Sequence, residues 1–224
     1  MVSQKDILSR YDVEQEIRMA ELQGHDANFE DKIISSIILR KRVVETGLNL
    51  KNAIVMHVIS LEETTIQGQI NLEGAVVKES FSAGSASIEG DLILINAKIN
   101  GVLNLISTTI KGSLNGESMV VSGFLSLTKS QIRDDVILRK AKINDAYHVG
   151  LIIRGDIYMR ESMITGGFDA REIFIEGSLD MMNSYVANTV NLKSAQIGNS
   201  FITKNANFKG DVELTGLKSK EVIE

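Results

Sequence analysis

The side chains best suited to acid–base or metal chemistry are few and scattered in this chain. Histidine occurs only at His25, His57 and His148, and cysteine is absent, which excludes disulfides and thiolate metal ligands. The repeat of the chain puts no two of these histidines on one face, whereas a metal site or an acid–base pair needs its groups side by side. We therefore predict a protein that is not an enzyme and has no catalytic, cofactor-binding or metal-binding residues.

One pattern of charged residues occurs twice and indicates binding. Segment 133–139 reads Arg-x-Asp-x-Ile-x-Arg, and segment 154–160 reads Arg-x-Asp-x-Tyr-x-Arg. If the two segments stack, their arginines repel each other unless carboxylates or a bound anion separate them. The predicted patch for an anion or a protein partner includes a nearby histidine and consists of Arg133, Asp135, Ile137, Arg139, His148, Arg154, Asp156, Tyr158 and Arg160. The alternative is a solvated face on which Asp135 and Asp156 balance the arginines.

Outward apolar residues are the second surface feature. Ile93, Ile137, Tyr158 and Ile202 share one position of the repeat, and a contiguous apolar surface often marks an interface. Polar residues interrupt the same column at Asn71, Asn115 and Asp180. Self-association through this face and scattered surface residues are both compatible with the pattern.

An eleven-residue repeat must position all of these side chains. Its form is apolar-x-Gly-x-apolar-x-apolar-x-x-small-x, and a single ten-residue step interrupts it between Ile143 and Ile153. The period is typical of a solenoid, in which stacked repeats bury a shared core. The first positions of the seventeen copies are Ile33, Val44, Val55, Ile66, Val77, Ile88, Ile99, Ile110, Val121, Ile132, Ile143, Ile153, Ile164, Ile175, Val186, Ile197 and Phe208.

The spacing within the repeat predicts short strands. Positions 10 and 1, and positions 5 and 7, lie two residues apart, which is the period of a β-strand with both ends facing inward. The tenth position differs between alternate copies, so one coil is predicted to take two repeats. Because parallel crossovers are overwhelmingly right-handed, we predict an all-β, right-handed, four-sided parallel β-helix. Glycine at the third position is predicted to supply a left-handed bend.

The first residues predict a helix over 3–22 that caps the N-terminal end of the solenoid. Ser3 is its predicted N-cap, and Gly24 is predicted to end it. Ile7, Leu8, Tyr11, Ile17 and either Met19 or Ala20 are expected to lie over the first coil. A protruding dimerisation helix is the alternative. The predicted organisation is a helical cap and linker over 1–32, the solenoid over 33–217 and a polar tail over 218–224.

Charge and hydropathy restrict the partners. The net charge is −5, yet residues 33–217 carry nineteen acidic and eighteen basic side chains, so neither nucleic-acid binding nor DNA mimicry is expected. No window approaches the roughly 18 apolar residues of a membrane span, and residues 1–10 lack the basic region followed by an apolar stretch that is typical of a signal peptide. We expect a cytoplasmic protein without a membrane span.

Two families resemble this pattern. Ala27-Asn28-Phe29 and Ala206-Asn207-Phe208 match the core of the pentapeptide-repeat unit, Ala-(Asp/Asn)-(Leu/Phe). This resemblance implies a right-handed quadrilateral β-helix that acts by protein contact without catalysis. The Gly-x-apolar coils are also similar to those of bactofilins, which stack end to end into filaments.

Three functions follow from this sequence. The first is a non-enzymatic scaffold that binds a protein partner, with a homodimer as one form. The second is a structural protein that polymerises end to end. The third, a carbohydrate-active β-helix enzyme, has the least support, because the regular repeat leaves almost no insertion to build a cleft.

Overall fold

The computed structural model describes residues 7–224, and nearly all of them belong to one parallel β-solenoid. Leu48 pairs with Ile70, Ile70 with Leu92 and Leu92 with Leu114, so each coil takes 22 residues. This confirms the predicted parallel β-solenoid and the length of its coil. The right-handed sense of winding stays a prediction from the crossover rule.

The strands stack in four columns, which we call faces 1 to 4 in the order in which the chain visits them. Face 1 consists of Ile7–Leu8, Ile33–Ile34, Ile54–Val55, Val76–Val77, Lys98–Ile99, Met163–Ile164, Tyr185–Val186 and Asn207–Phe208. Face 2 consists of Ile37–Ile38, Ile59–Ser60, Phe81–Ser82, Leu103–Asn104, Phe168–Asp169, Val190–Asn191 and Val212–Glu213. The longer strands Val120–Ser126 and Lys142–Tyr147 run through the corner between these two faces and join them into one 17-stranded sheet.

The other two faces form separate sheets. Face 3 is the 8-stranded sheet of Val43–Val44, Thr65–Ile66, Ser87–Ile88, Thr109–Ile110, Gln131–Ile132, Ile152–Ile153, Phe174–Ile175 and Gln196–Ile197. Face 4 is the 10-stranded sheet of Ala27–Asn28, Leu48–Asn49, Ile70–Asn71, Leu92–Ile93, Leu114–Asn115, Val136–Ile137, Ile157–Tyr158, Leu179–Asp180, Ser200–Ile202 and Glu221–Ile223.

The core lies inside the coils, at the positions that the repeat predicts. In one repeat Val44, Leu48, Leu50 and Ala53 are fully buried, which are positions 1, 5, 7 and 10. The first copy is shifted by one residue, because Ile33 pairs with Ile54 and Ile34 with Val55. Ile34, and not Ile33, therefore faces the core.

The left-handed backbone lies at the ninth position of the repeat and not at the predicted third position. Leu50 O accepts a hydrogen bond from Ala53 N at 3.0 Å, and Asn52 between them has a φ of 56°. A left-handed third residue is typical of a type II turn. The equivalent residues with positive φ are Asp31, Lys41, Glu63, Gly74, Ser85, Asn96, Ser107, Ser118, Lys129, Lys140, Gly150, Glu161, Glu172, Asn183, Ser194, Asn205 and Gly216.

The glycines at the third position serve close stacking. A Cβ atom added at Gly123 would come within 2.6 Å of Gly101 O and 2.8 Å of Gly101 C in the preceding coil. At Gly112, Gly155 and Gly177 it would overlap the carboxylate of an aspartate in the preceding coil. The sequence thus marks the right position, but the reason is contact between coils and not backbone handedness.

The single helix of the described chain, Arg10–Gln23, covers the N-terminal end of the core. Its N-cap is Ser9, which forms a capping box with Asp12, and Gly24 ends it with a φ of 71°. The predicted end of the helix at Gly24 and its predicted place over the N-terminal coil are therefore confirmed. The predicted start is wrong, because Ile7–Leu8 is a strand that pairs with Ile33–Ile34; Ser3 lies outside the described residues.

The helix packs on the core through fewer residues than predicted. Val13, Ile17 and Ala20 are buried, whereas Tyr11 and Met19 are exposed. Polar contacts add to this packing, since Arg42 Nη1 lies 2.6 Å from Glu14 Oε2 and Nη2 lies 3.5 Å from Glu21 Oε1. Within residues 7–224, no helix is long and apolar enough to cross a membrane.

Paired strands continue on both sides of the predicted 33–217 solenoid. Ala27–Asn28 pairs with Leu48–Asn49, and Glu221–Ile223 pairs with Ser200–Ile202. The segment predicted as a polar tail therefore contributes a strand to face 4.

We expect Gly123→Ala to lower the stability of the solenoid by about 1–3 kcal/mol, because the new methyl group overlaps backbone that cannot move freely. Gly84→Ala is the matched control, since a Cβ atom there meets only contacts of 3.7 Å. Urea unfolding followed by circular dichroism measures both. Equal midpoints for the two variants would contradict the stacking role of Gly123.

Candidate interaction surface

The two charged segments stack as the sequence predicts, but they extend over two faces. Gln131 pairs with Ile152 and Ile137 with Tyr158, an offset of 21 residues. Arg133 and Arg154 lie at the end of face 3, and Ile137 and Tyr158 lie on face 4. The surface around the corner between these faces therefore has two halves with different environments.

The aspartates at this corner bind backbone. Asp135 Oδ1 accepts a hydrogen bond from Asp156 N at 2.8 Å, and Asp156 Oδ1 accepts one from Ser178 N at 2.5 Å. Asp91 Oδ1 makes the same bond with Ser113 N at 2.8 Å. These carboxylates satisfy amide groups where the chain turns between strands, so they hold successive coils together.

Charges on face 4 are compensated within the protein. The Tyr158 hydroxyl donates to Asp156 Oδ2 at 2.7 Å, and the Arg139 guanidinium lies 4.8 Å from the centroid of the Tyr158 ring. Arg160 forms an ion pair with the buried carboxylate of Asp180. The hydrogen bond to Asp156, together with burial, raises the pKa of Tyr158 to about 12. This half of the predicted patch has few free polar groups.

Polar side chains in the apolar column of face 4 also bind their own backbone. Asn71 Oδ1 accepts from Glu73 N at 2.9 Å, Asn115 Oδ1 from Glu117 N at 3.2 Å and Asp180 Oδ1 from Met182 N at 3.0 Å. Such bonds are typical of Asx turns. Ile93, Ile137, Tyr158 and Ile202 are half-buried between these residues, so the apolar column is interrupted.

The half on face 3 carries uncompensated charge. Lys111, Arg133 and Arg154 form one column in successive coils. Lys111 Nζ lies 2.6 Å from Glu89 Oε2, whereas the side chains of Arg133 and Arg154 form no hydrogen bond or ion pair with residues 7–224. Free guanidinium groups of this kind are suited to carboxylates or phosphates, which they bind with two hydrogen bonds.

A shallow groove of about 430 Å³ follows this column. Thr109, Gln131 and Ile152 form its second side, two residues away along the strands. Ile152 is 44% exposed, and Phe174, its neighbour in the next coil, is 40% exposed. The groove therefore combines cationic, hydrogen-bonding and apolar groups on a rigid sheet.

His148 is not part of the surface. It is 1% exposed, although the repeat predicts an outward position for it. The missing residue of the ten-residue step lies next to Asn144, because Val121 pairs with Ile143 but Phe124 pairs with Asp145. His148 consequently takes an inward position, where its ring contacts Phe168 edge to face at 5.3 Å between centroids.

The same shift explains two further differences. Leu151 is buried in place of Ile152, which turns outward into the groove. The apolar pattern alone favours the other register, because it would bury Val149 and Ile152 and leave the histidine outside. Gly150 is the signal that could have shown the true register, since its φ of 63° puts it at the left-handed ninth position.

Several exposed side chains were not predicted from the sequence. Lys111 and Ile152 line the groove on face 3, and Phe174 lies next to Ile152 in the following coil. On face 2, Phe124 and Tyr147 form an exposed aromatic pair with centroids 5.7 Å apart. Each of these two groups brings together residues from different coils, so no local sequence motif predicts it.

The chain matches no protein-family model, no curated protein and no solved structure. The resemblances to pentapeptide-repeat proteins and bactofilins therefore stay predictions.

We expect His148 to make the protein less stable in acid. Burial lowers the pKa of its imidazole from 6.5 to about 4, against the opposing influence of the Tyr147 backbone and the Asp169 carboxylate. Within residues 7–224, neither ring nitrogen has a hydrogen-bond partner. The folded state thus disfavours the charged form. The free energy of unfolding is therefore highest above pH 6.5, where the imidazole is neutral in both states. It decreases as the pH falls towards 4, by up to about 3 kcal/mol.

Chemical denaturation between pH 3.5 and 7.5 measures this effect. In His148→Leu the free energy of unfolding should fall much less between pH 6.5 and 4, because this position then takes up no proton on unfolding. His25→Gln, at an exposed histidine, is the control. An unchanged pH profile in His148→Leu would be inconsistent with a buried neutral imidazole.

Proposed function

We propose that this protein is a non-catalytic β-solenoid scaffold that binds other proteins and associates with a second copy through its C-terminal coil. The observation that carries self-association is the exposure of core positions in the last coil. Val212 is 43% exposed, Leu214 38% and Val222 49%. One coil earlier, the equivalent Val190, Leu192 and Phe201 are buried.

The backbone of this coil is also open on one side. Within residues 7–224, the strands of this coil pair only with the preceding coil; they are Asn207–Phe208, Val212–Glu213 and Glu221–Ile223. Unpaired strand edges beside exposed apolar side chains readily associate with another chain. A second copy offers the same cross-section, the same apolar positions and the same open edges, so the contact can be self-complementary about a two-fold axis.

The other end of the solenoid explains why association should stop at two copies. The helix Arg10–Gln23 covers the N-terminal coil with Val13, Ile17 and Ala20 buried beneath it. The covered N-terminal coil offers no second contact of this kind for growth. This favours the homodimer over the alternative, an end-to-end polymer of the bactofilin kind.

The regularity of the coils supports a scaffold over an enzyme. Three or four residues join the strands at most corners of the four faces, whereas a carbohydrate-active β-helix would need longer loops to surround its substrate. A flat and preordered surface loses little conformational entropy on binding. We infer a role based on surface complementarity, as the resemblance to pentapeptide-repeat proteins implies.

We expect the double variant Leu214→Asp, Val222→Asp to be monomeric where the unmodified protein has twice the monomer mass, because two buried carboxylates would oppose the contact. Light scattering coupled to size exclusion, over a concentration series, measures the mass. Ile106→Asp, at a similarly exposed residue on the lateral surface, is the control. A dimer that survives the double variant would contradict a contact through the C-terminal coil.

Removal of residues 1–24 tests why association should stop at two copies. We expect this variant to form species larger than a dimer, because the apolar first coil is then exposed at the second end. Size exclusion with light scattering and electron microscopy would detect them. Polymers formed by the full chain would instead favour the end-to-end structural protein.

A further inference from the structure

We propose that the groove on face 3 binds a short acidic segment of a partner protein, in which carboxylates alternate with apolar side chains. The groove is the surface lined by Thr109, Lys111, Gln131, Arg133, Ile152 and Arg154. This inference rests on the proposed scaffold role and gives the chemistry of the partner. It does not depend on self-association through the C-terminal coil.

Two of the three cations of the groove, Arg133 and Arg154, have no counter-charge within residues 7–224. Lys111, Arg133 and Arg154 are one coil apart, roughly 4.8 Å along the stack, and like charges directly opposite each other on a sheet are destabilising. Glu89 pairs with Lys111, but Arg133 and Arg154 have no acidic partner within residues 7–224. Asp135 and Asp156 at this corner bind backbone amides, and the exposed Asp134 beside Arg133 forms no ion pair with either arginine within residues 7–224.

Carboxylates fit these two arginines well. A guanidinium group binds a carboxylate through two parallel hydrogen bonds, and the hydroxyl of Thr109 and the amide of Gln131 lie on the opposite side of the groove as further donors. Side chains of a bound extended segment project alternately, so every second residue can face the groove.

Apolar contacts indicate a protein and not a simple anion. Ile152 and Phe174 are both about two-fifths exposed; Ile152 lies two residues before Arg154, and Phe174 pairs with Ile152 in the next coil. Arginine and aromatic residues together are typical of the central part of protein interfaces. A segment that carries Leu or Phe between its acidic residues would cover these two side chains.

The charges around the column oppose a long polyanion. Glu89 precedes Lys111 by one coil and Glu176 follows Arg154 by one coil, each at the same place on face 3. A nucleic acid or sulfated glycan that followed the solenoid axis would meet these carboxylates on both sides of the cations. The favourable field is thus limited to three coils, which matches a segment with two or three acidic residues.

Fluorescence anisotropy with the full-length protein tests this inference. The probe is a short labelled peptide in which Glu alternates with Leu and Ser, and the reference peptide has Lys in place of Glu. We expect the acidic peptide to bind with a Kd on the order of 10–100 μM and the basic peptide to bind at least tenfold more weakly. The affinity should fall as the salt concentration rises.

Charge reversal then locates the site. The double variant Arg133→Glu, Arg154→Glu should lower the affinity for the acidic peptide at least tenfold. Phe174→Ser should lower it by a smaller factor. The matched control is Lys98→Glu, Lys142→Glu, which makes the same charge change at exposed residues on face 1 and should leave the affinity within about twofold. Circular dichroism verifies that each variant keeps its β-structure.

Three results would overturn the inference. They are equal peptide affinity in the Arg133/Arg154 variant and the unmodified protein, an equal loss in the face 1 control, and tighter binding of single-stranded oligothymidylate or heparin than of the acidic peptide. The mass of each variant, measured in parallel, separates this inference from self-association. A dimer that does not bind the peptide contradicts the groove alone, and a monomer that binds it contradicts only the dimer.

Discussion

Backbone hydrogen bonds between successive coils are the constraint on which the rest of this structure depends. They fix each residue roughly 4.8 Å from the residue one coil before it and one coil after it. At that distance a Cβ atom at Gly123 would overlap the backbone of Gly101 in the preceding coil. The same spacing lets Asp135 and Asp156 reach the amide groups of the next coil. The glycines at the corners and the carboxylate-to-amide hydrogen bonds between coils therefore both follow from one repeat distance.

Stacking also controls the electrostatics of the surface. A side chain in a solenoid has its nearest neighbours in adjacent coils, so like charges become stacked whenever the sequence repeats a charged position. On face 4, contacts within the protein offset the repulsion between stacked cations. Arg160 pairs with Asp180, and Arg139 lies over the Tyr158 ring. On face 3, Arg133 and Arg154 have no such partners among the described residues. Binding is best supported where this internal compensation is missing.

The two ends of the solenoid differ for a similar reason. Each coil buries its apolar side chains against the next, so a terminal coil needs another cover. At the N-terminal end, the helix provides this cover through Val13, Ile17 and Ala20 and through the ion pairs of Arg42. In the last coil Val212, Leu214 and Val222 remain exposed. The two end coils of the described residues therefore differ in how far their apolar side chains are buried.

The sequence by itself determined the features that depend on local alternation: the parallel solenoid, the 22-residue coil, the inward positions and the end of the helix at Gly24. Only the tertiary structure decided the features that depend on residues one coil apart. It placed the left-handed residue at the ninth position, started the helix at Arg10 because Ile7–Leu8 pairs with Ile33–Ile34, and turned His148 inward and Ile152 outward. It also distinguished the free arginines from the compensated ones. Alternation is visible along the chain, whereas register and charge compensation arise from contacts between residues about twenty positions apart.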